Sequence, residues 1–137
     1  MKPKVDPSDP HAWLRHARSN LQLAERGKGL KGVLLEDLCF NAQQAAEKAF
    51  KAICISRRID FPKTHSLVRL IDILEENGVT IPENIKAADV LTQFAVQSRY
   101  PDWIEEITQE EYSDALELAA RVVFWAEKYI STKRQLH

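Results

Sequence analysis

The sequence predicts an all-α protein, an antiparallel bundle of about five helices within a single domain spanning residues 1–137. Apolar residues recur at intervals of three and four in five successive stretches, which places each set on one helical face. Glycine and proline punctuate short gaps between those stretches, and short connections favour antiparallel neighbours. No stretch alternates apolar and polar residues as a half-buried strand does.

The first helix starts at Ser8-Asp9-Pro10, where a capping side chain precedes a proline suited to the first turn. Residues 1–8 before it are expected to be flexible. Trp13, Ala17, Leu21 and Ala24 form its inner stripe, and it ends near Arg26 before Gly27, Gly29 and Gly32. That glycine-rich stretch lacks the Lys-Ser/Thr spacing and the preceding strand of a phosphate loop, and reads as a helix connection. The second helix, about residues 34–57, carries Leu38, Ala42, Ala45, Ala49, Ala52 and Ile53, with Ala46, Phe50 and Cys54 widening the apolar face. Its alanine stripe admits close neighbours and marks it as the central helix, while Gln43, Gln44, Glu47, Lys48 and Lys51 favour the helical backbone.

The turn Asp60-Phe61-Pro62 leads to a third helix over about residues 67–77, with Leu67, Leu70, Ile71 and Leu74 inward and Gly78 as its stop. A fourth is expected over about residues 83–98, on Ile85, Ala88, Leu91 and Ala95 with Phe94 nearby. Pro101 ends it and holds Tyr100 away from helical dihedrals. The last helix opens at Thr108-Gln-Glu-Glu111, a capping box. It continues almost to the end on Tyr112, Ala115, Leu116, Ala119, Val122, Val123, Ala126 and Ile130, with Lys128, Lys133 and Arg134 suited to its negative end.

Composition narrows the function classes. Nineteen Lys and Arg against twenty Asp and Glu give a formal net charge of -1, so any contact with nucleic acid must be local. Neither a signal-peptide core nor an apolar run of spanning length is present, which predicts a cytoplasmic protein with no membrane partner. Cys39 and Cys54 lie within one predicted helix, about 22 Å apart at 1.5 Å per residue, beyond disulfide reach. They read as reduced, buried thiols. No His/Cys pattern has metal-ligand spacing, and His11 and His16 do not share a helical face, so no metal is expected and these histidines read as surface residues.

Three blocks in order carry a family likeness: Ala42-Gln43-Gln44-Ala45-Ala46-Glu47-Lys48-Ala49 with Lys51, then Lys63-Thr64-His65-Ser66-Leu67, then Arg99-Tyr100-Pro101-Asp102. With Trp13 near the start and the Thr-x-x-Glu opening of the last helix, the chain resembles the HEPN family over nearly its whole length. The resemblance implies a compact helical bundle that commonly forms homodimers, often encoded beside a minimal nucleotidyltransferase partner, as in two-component toxin–antitoxin pairs. It also implies one of two activities. Many HEPN proteins are metal-independent ribonucleases with an arginine followed four to six residues later by a histidine. The cation holds the scissile phosphate, and the imidazole moves a proton. Here Arg99 is followed by Tyr100, Pro101, Asp102, Trp103, Ile104, Glu105 and Glu106. The histidine is missing.

The resemblance is therefore to the RYPD-containing branch, with a non-nucleolytic role: binding a nucleotide, working with a nucleotidyltransferase, or both, with no required cofactor. The residues implied for a phosphate or nucleotide site are Arg99, Tyr100, Asp102, Gln43, Gln44, Glu47 and His65. A guanidinium suits phosphate, and a tyrosine ring can stack on a base. Each has a structural alternative. Arg99 can pair with Asp102 or Glu105 at a helix end, and His65 can order its loop while Thr64 or Ser66 caps the third helix. The carboxylate pairs Glu75-Glu76, Glu105-Glu106 and Glu110-Glu111 read as solvated faces or caps. Trp103 and Trp125 are core residues or interface anchors. Two other functions stay open: a divergent endoribonuclease or toxin component acting on RNA through Arg99 and His65, and a purely structural dimeric module.

Overall fold

The computed structural model describes residues 6–95 and 106–135, with side chains through residue 132. The described residues are helical, without strands: α1 (Pro10–Arg26), α2 (Leu35–Ser56), α3 (Leu67–Glu76), α4 (Glu83–Lys86) running into a 3₁₀ segment (Ala87–Phe94), and α5 (Gln109–Gln135). The last two segments before α5 occupy the place of the expected fourth helix. As predicted, α2 is central: α1 and α5 pack along it, and α3 and the 3₁₀ segment close the remaining side.

The helix ends follow local chemistry. Asp9 caps α1, its carboxylate accepting from the His11 backbone N–H at 2.9 Å, with Pro10 in the first turn. Ser66 caps α3 through the Arg69 N–H (3.2 Å), and Thr64 Oγ1 accepts from the Ser66 N–H (3.0 Å). At α5 both halves of the capping box form: the Glu111 N–H donates to Thr108 Oγ1 (3.0 Å) and the Thr108 N–H to Glu111 Oε1 (3.2 Å).

The loop between α1 and α2 uses its glycines in two ways. Gly29 and Gly32 take φ of 84°, a left-handed conformation that a side chain disfavours. Gly27 is instead needed for closeness. A Cβ there would stand 2.3 Å from Leu38 Cδ2 and 2.9 Å from the Leu23 carbonyl oxygen.

Small residues set the helix spacing. Ala42, Ala45, Ala46, Ala49 and Ala52 of α2 are all buried, as are Ala17 and Ala24 of α1 and Ala119 and Ala126 of α5. Neighbouring backbones approach closely over such a stripe. Phe50, Ile53, Leu70, Leu74, Leu91, Val122 and Val123 fill the spaces between helices. Tyr112 turns its hydroxyl onto the Ala24 carbonyl (2.6 Å), satisfying an open acceptor at the end of α1 and tying α5 to it. Trp125 packs edge-on against Phe50 with ring centroids 6.2 Å apart, so it contributes to the core. Trp103 lies outside the described residues.

The fourth helix departs from expectation. Among its described residues only Glu83–Lys86 is α-helical, and Ala87–Phe94 winds as a 3₁₀ helix, while the expected end over 96–98 and its stop at Pro101 lie outside the described residues. The buried residues are Ile85, Ala88, Leu91 and Phe94, an unbroken interval of three. A period of three keeps a stripe in line on a 3₁₀ helix, with three residues per turn, whereas on an α-helix it drifts. The expected inward position, Ala95, is only partly buried, and Phe94 takes its place.

Candidate functional site

Three polar residues on α2 lie four apart, Gln43, Glu47 and Lys51, and that interval stacks them along one face. All three are buried, Gln43 completely. They form a ladder. The Gln43 amide Nε2 donates to Glu47 Oε1 at 3.1 Å, and the Lys51 ammonium donates to Glu47 Oε2 at 2.9 Å. Gln44 reinforces the upper rung, its Nε2 donating to Gln43 Oε1 at 2.7 Å. Lys51 also sits over the Phe61 ring, 5.7 Å from its centroid, and Phe61 meets Trp13 edge-on at 6.1 Å.

His65 crosses to this ladder from the loop before α3. Its Nδ1 lies 3.0 Å from Glu47 Oε1, and its backbone carbonyl accepts from Gln43 Nε2 at 3.0 Å. The Glu47 side chain is 5% exposed and that of His65 is 69% exposed, so the pair runs from the interior to the surface. Burial pushes the Glu47 carboxyl upward, but hydrogen bonds from Lys51, Gln43 and His65 outweigh it and hold the group below its ordinary range. Glu47 is therefore an anion at neutral pH. A carboxylate only accepts, so the ring nitrogen facing it carries the proton. In the neutral imidazole, Nε2 is then the acceptor. A carboxylate that fixes one nitrogen of an imidazole leaves the other as an oriented base, or, after protonation, as an oriented cation for an anionic ligand.

The structural alternative for His65 shares these atoms: its carbonyl and ring bind the loop to α2. Gln43 has spent its amide hydrogens on Glu47 and the His65 carbonyl, so it acts as a buried strut. Gln44 and His65 reach the surface, and Glu47 stands behind His65. Arg99, Tyr100 and Asp102 lie outside the described residues. Lys51 was not among the expected site residues. The i, i+4 series 43/47/51 was its available signal, but such a series more often lies on a solvated face.

Among the described residues no group of three His, Cys, Asp or Glu side chains can hold a metal ion, and no helix is long and apolar enough to cross a membrane. His11 and His16 are exposed. Cys39 and Cys54 are buried thiols outside any disulfide.

The described residues thus form an α-helical bundle whose central helix carries a buried polar ladder beneath a loop histidine. The HEPN domain profile matches residues 10–129. The chain belongs to the HEPN family. It is similar to TT1696 of Thermus thermophilus, with 33% identity and a TM-score of 0.74 over 88% of this chain and 98% of that one. It is also similar to ST0689, an archaeal HEPN homologue, with 26% identity and a TM-score of 0.68 over 95% of this chain and 99% of that one. No curated protein matches it.

Proposed function

We propose that this HEPN protein is non-nucleolytic, forms a homodimer, and binds a nucleotide or works with a minimal nucleotidyltransferase partner. The observation that carries the nucleotide reading is the Glu47–His65 pair, a surface imidazole held at 3.0 Å by a buried carboxylate. Protonated His65 offers an N–H donor to a phosphate oxygen, and Gln44, whose Nε2 donates to Gln43 Oε1 and lies 3.5 Å from Glu47 Oε1, braces the carboxylate behind it. Arg99 and Tyr100 supply the chemistry for a second phosphate contact and for stacking on a base. The missing histidine after Arg99 argues against RNA cleavage by the family's usual pair.

One observation favours a second reading. With Nδ1 engaged by Glu47, Nε2 of neutral His65 is an oriented base, as a ribonuclease or toxin component needs for a 2′-hydroxyl. Calorimetric titration with ATP and other nucleotides, beside turnover of single-stranded RNA, separates the two. Saturable nucleotide binding that is lost in Arg99→Ala and weakened in His65→Ala, without cleavage, is the expected result. RNA cleavage dependent on both Arg99 and His65 replaces it with the enzyme. Neither binding nor cleavage leaves a partner-dependent or purely structural module.

A further inference from the structure

Lys48 follows Glu47, so its side chain leaves α2 about 100° further round, at 3.6 residues per turn. It reaches the wall of a cavity of about 240 Å³ lined by Pro7, Ala12, Trp13, His16 and Lys48. The walls are held in place. Trp13 Nε1 donates to the Pro7 carbonyl at 2.8 Å, and Phe61 supports the indole edge-on. Lys48 is held as well: its Nζ donates to Asn20 Oδ1 at 2.7 Å. Asn20 Nδ2 in turn donates to Asn41 Oδ1 at 2.9 Å, and Asn41 Nδ2 to the Asp37 carbonyl at 3.1 Å. This run of amides orients Asn20 so that its oxygen, not its nitrogen, faces Lys48.

Among the described residues Lys48 differs from the other cations that are not exposed. Lys51 and Lys86 each pair with a carboxylate. Among the described residues Lys48 forms no ion pair. An ammonium has three donors, and Asn20 takes one. Burial disfavours its charge, and Glu47 opposes that only in part. A half-buried cation without a counter-ion, whose side chain lines a mostly apolar cavity together with an indole, is a receptor for a ligand that brings the missing charge to the two ammonium hydrogens Asn20 leaves.

We propose that this cavity binds a small planar aromatic anion, its ring against Trp13 and its carboxylate, sulfonate or phosphate group on Lys48, with His16 at the rim. The site shares no residue with the Glu47–His65 pair, so either can fail alone.

The test is a ¹H–¹⁵N NMR titration of the full chain with naphthalene-2-sulfonate and with its neutral N-methylsulfonamide. Saturable shifts centred on Ala12, the Trp13 indole and Lys48 are expected, with the anion bound about tenfold more tightly, as a charge-assisted hydrogen bond provides. Lys48→Met should lose that margin while retaining its helical circular dichroism, and Lys48→Arg should keep most of it. Equal affinity for the two compounds overturns the proposal on the wild-type protein alone, whether or not Lys48→Met folds. So do shifts centred elsewhere, anion binding indifferent to Lys48→Met, or no saturable binding.

Discussion

Removing the Glu47 carboxylate leaves the Lys51 ammonium buried without a counter-ion, and an uncompensated buried charge is among the costliest single defects. Glu47→Ala should lower the unfolding free energy by about 3 kcal/mol or more, read by urea denaturation. Glu47→Leu combined with Lys51→Met should recover part of that, because no charge is left buried while Gln43 Nε2 still loses its Glu47 acceptor. The same carboxyl sets an acid limit. Its folded value lies below its ordinary 4.5, so its contribution is complete above that pH and is lost as pH falls below it. Wild-type stability should therefore fall more steeply below pH 4.5 than that of Glu47→Gln, measured by denaturation at a series of pH values. Cys54 offers a simpler check. Burial pushes its thiol up to about 11, against an opposing effect of Lys51. Cys39 and Cys54 should both resist a thiol reagent in the native protein and react on unfolding.

At the scale of elements, the sequence stated the helix ends plainly. Asp9-Pro10 and Thr108 with Glu111 act within one turn, so their hydrogen bonds depend on neighbours already visible in the chain. The 3₁₀ segment was less legible. Its stripe was read on an α-helix with Ala95 inward, and packing against α2 and α5 instead puts Phe94 inward at an interval of three. One side chain of this segment also completes α3. The Leu67 N–H, an open donor in the first turn of that helix, is accepted by Thr92 Oγ1 at 3.0 Å. Leu67 is buried, so water is a poor substitute. Thr92→Val should cost about 1–2 kcal/mol and lower the thermal midpoint, although it keeps size and β-branching.

At the scale of the molecule, α1 and α5 flank α2 and are tied to each other by the buried Tyr112–Ala24 hydrogen bond and by the Arg18–Glu127 ion pair at the surface. Several large apolar side chains remain exposed, among them Leu30 and Leu34 between α1 and α2, and Phe124 at 72% on α5. Single exposed apolar residues are ordinary, but they give the proposed homodimer material to work with. If that dimer forms, the thermal midpoint should rise with protein concentration and sedimentation should report two protomers. A concentration-independent midpoint with a monomer in sedimentation removes the dimer from the proposed function.

The sequence by itself determined the helical class, the places where α1, α2, α3 and α5 begin, the central position of α2 and the burial of its alanine face. Each depends on local capping or on a periodicity written along one segment. Tertiary structure decided which polar residues matter together. Gln43, Glu47 and Lys51 read as favourable helix formers, with Gln43 and Glu47 also site candidates through the family resemblance, yet all three are buried. Their burial follows from the arrival of His65 and Phe61 from the loop after α2, contacts made across up to 22 positions in the chain. Lys48, one residue from Glu47, was left without an ion pair for the same reason. Whether a charge on a helix meets a carboxylate, an amide or an open cavity depends on what packs against that face, and spacing along one helix does not contain that information.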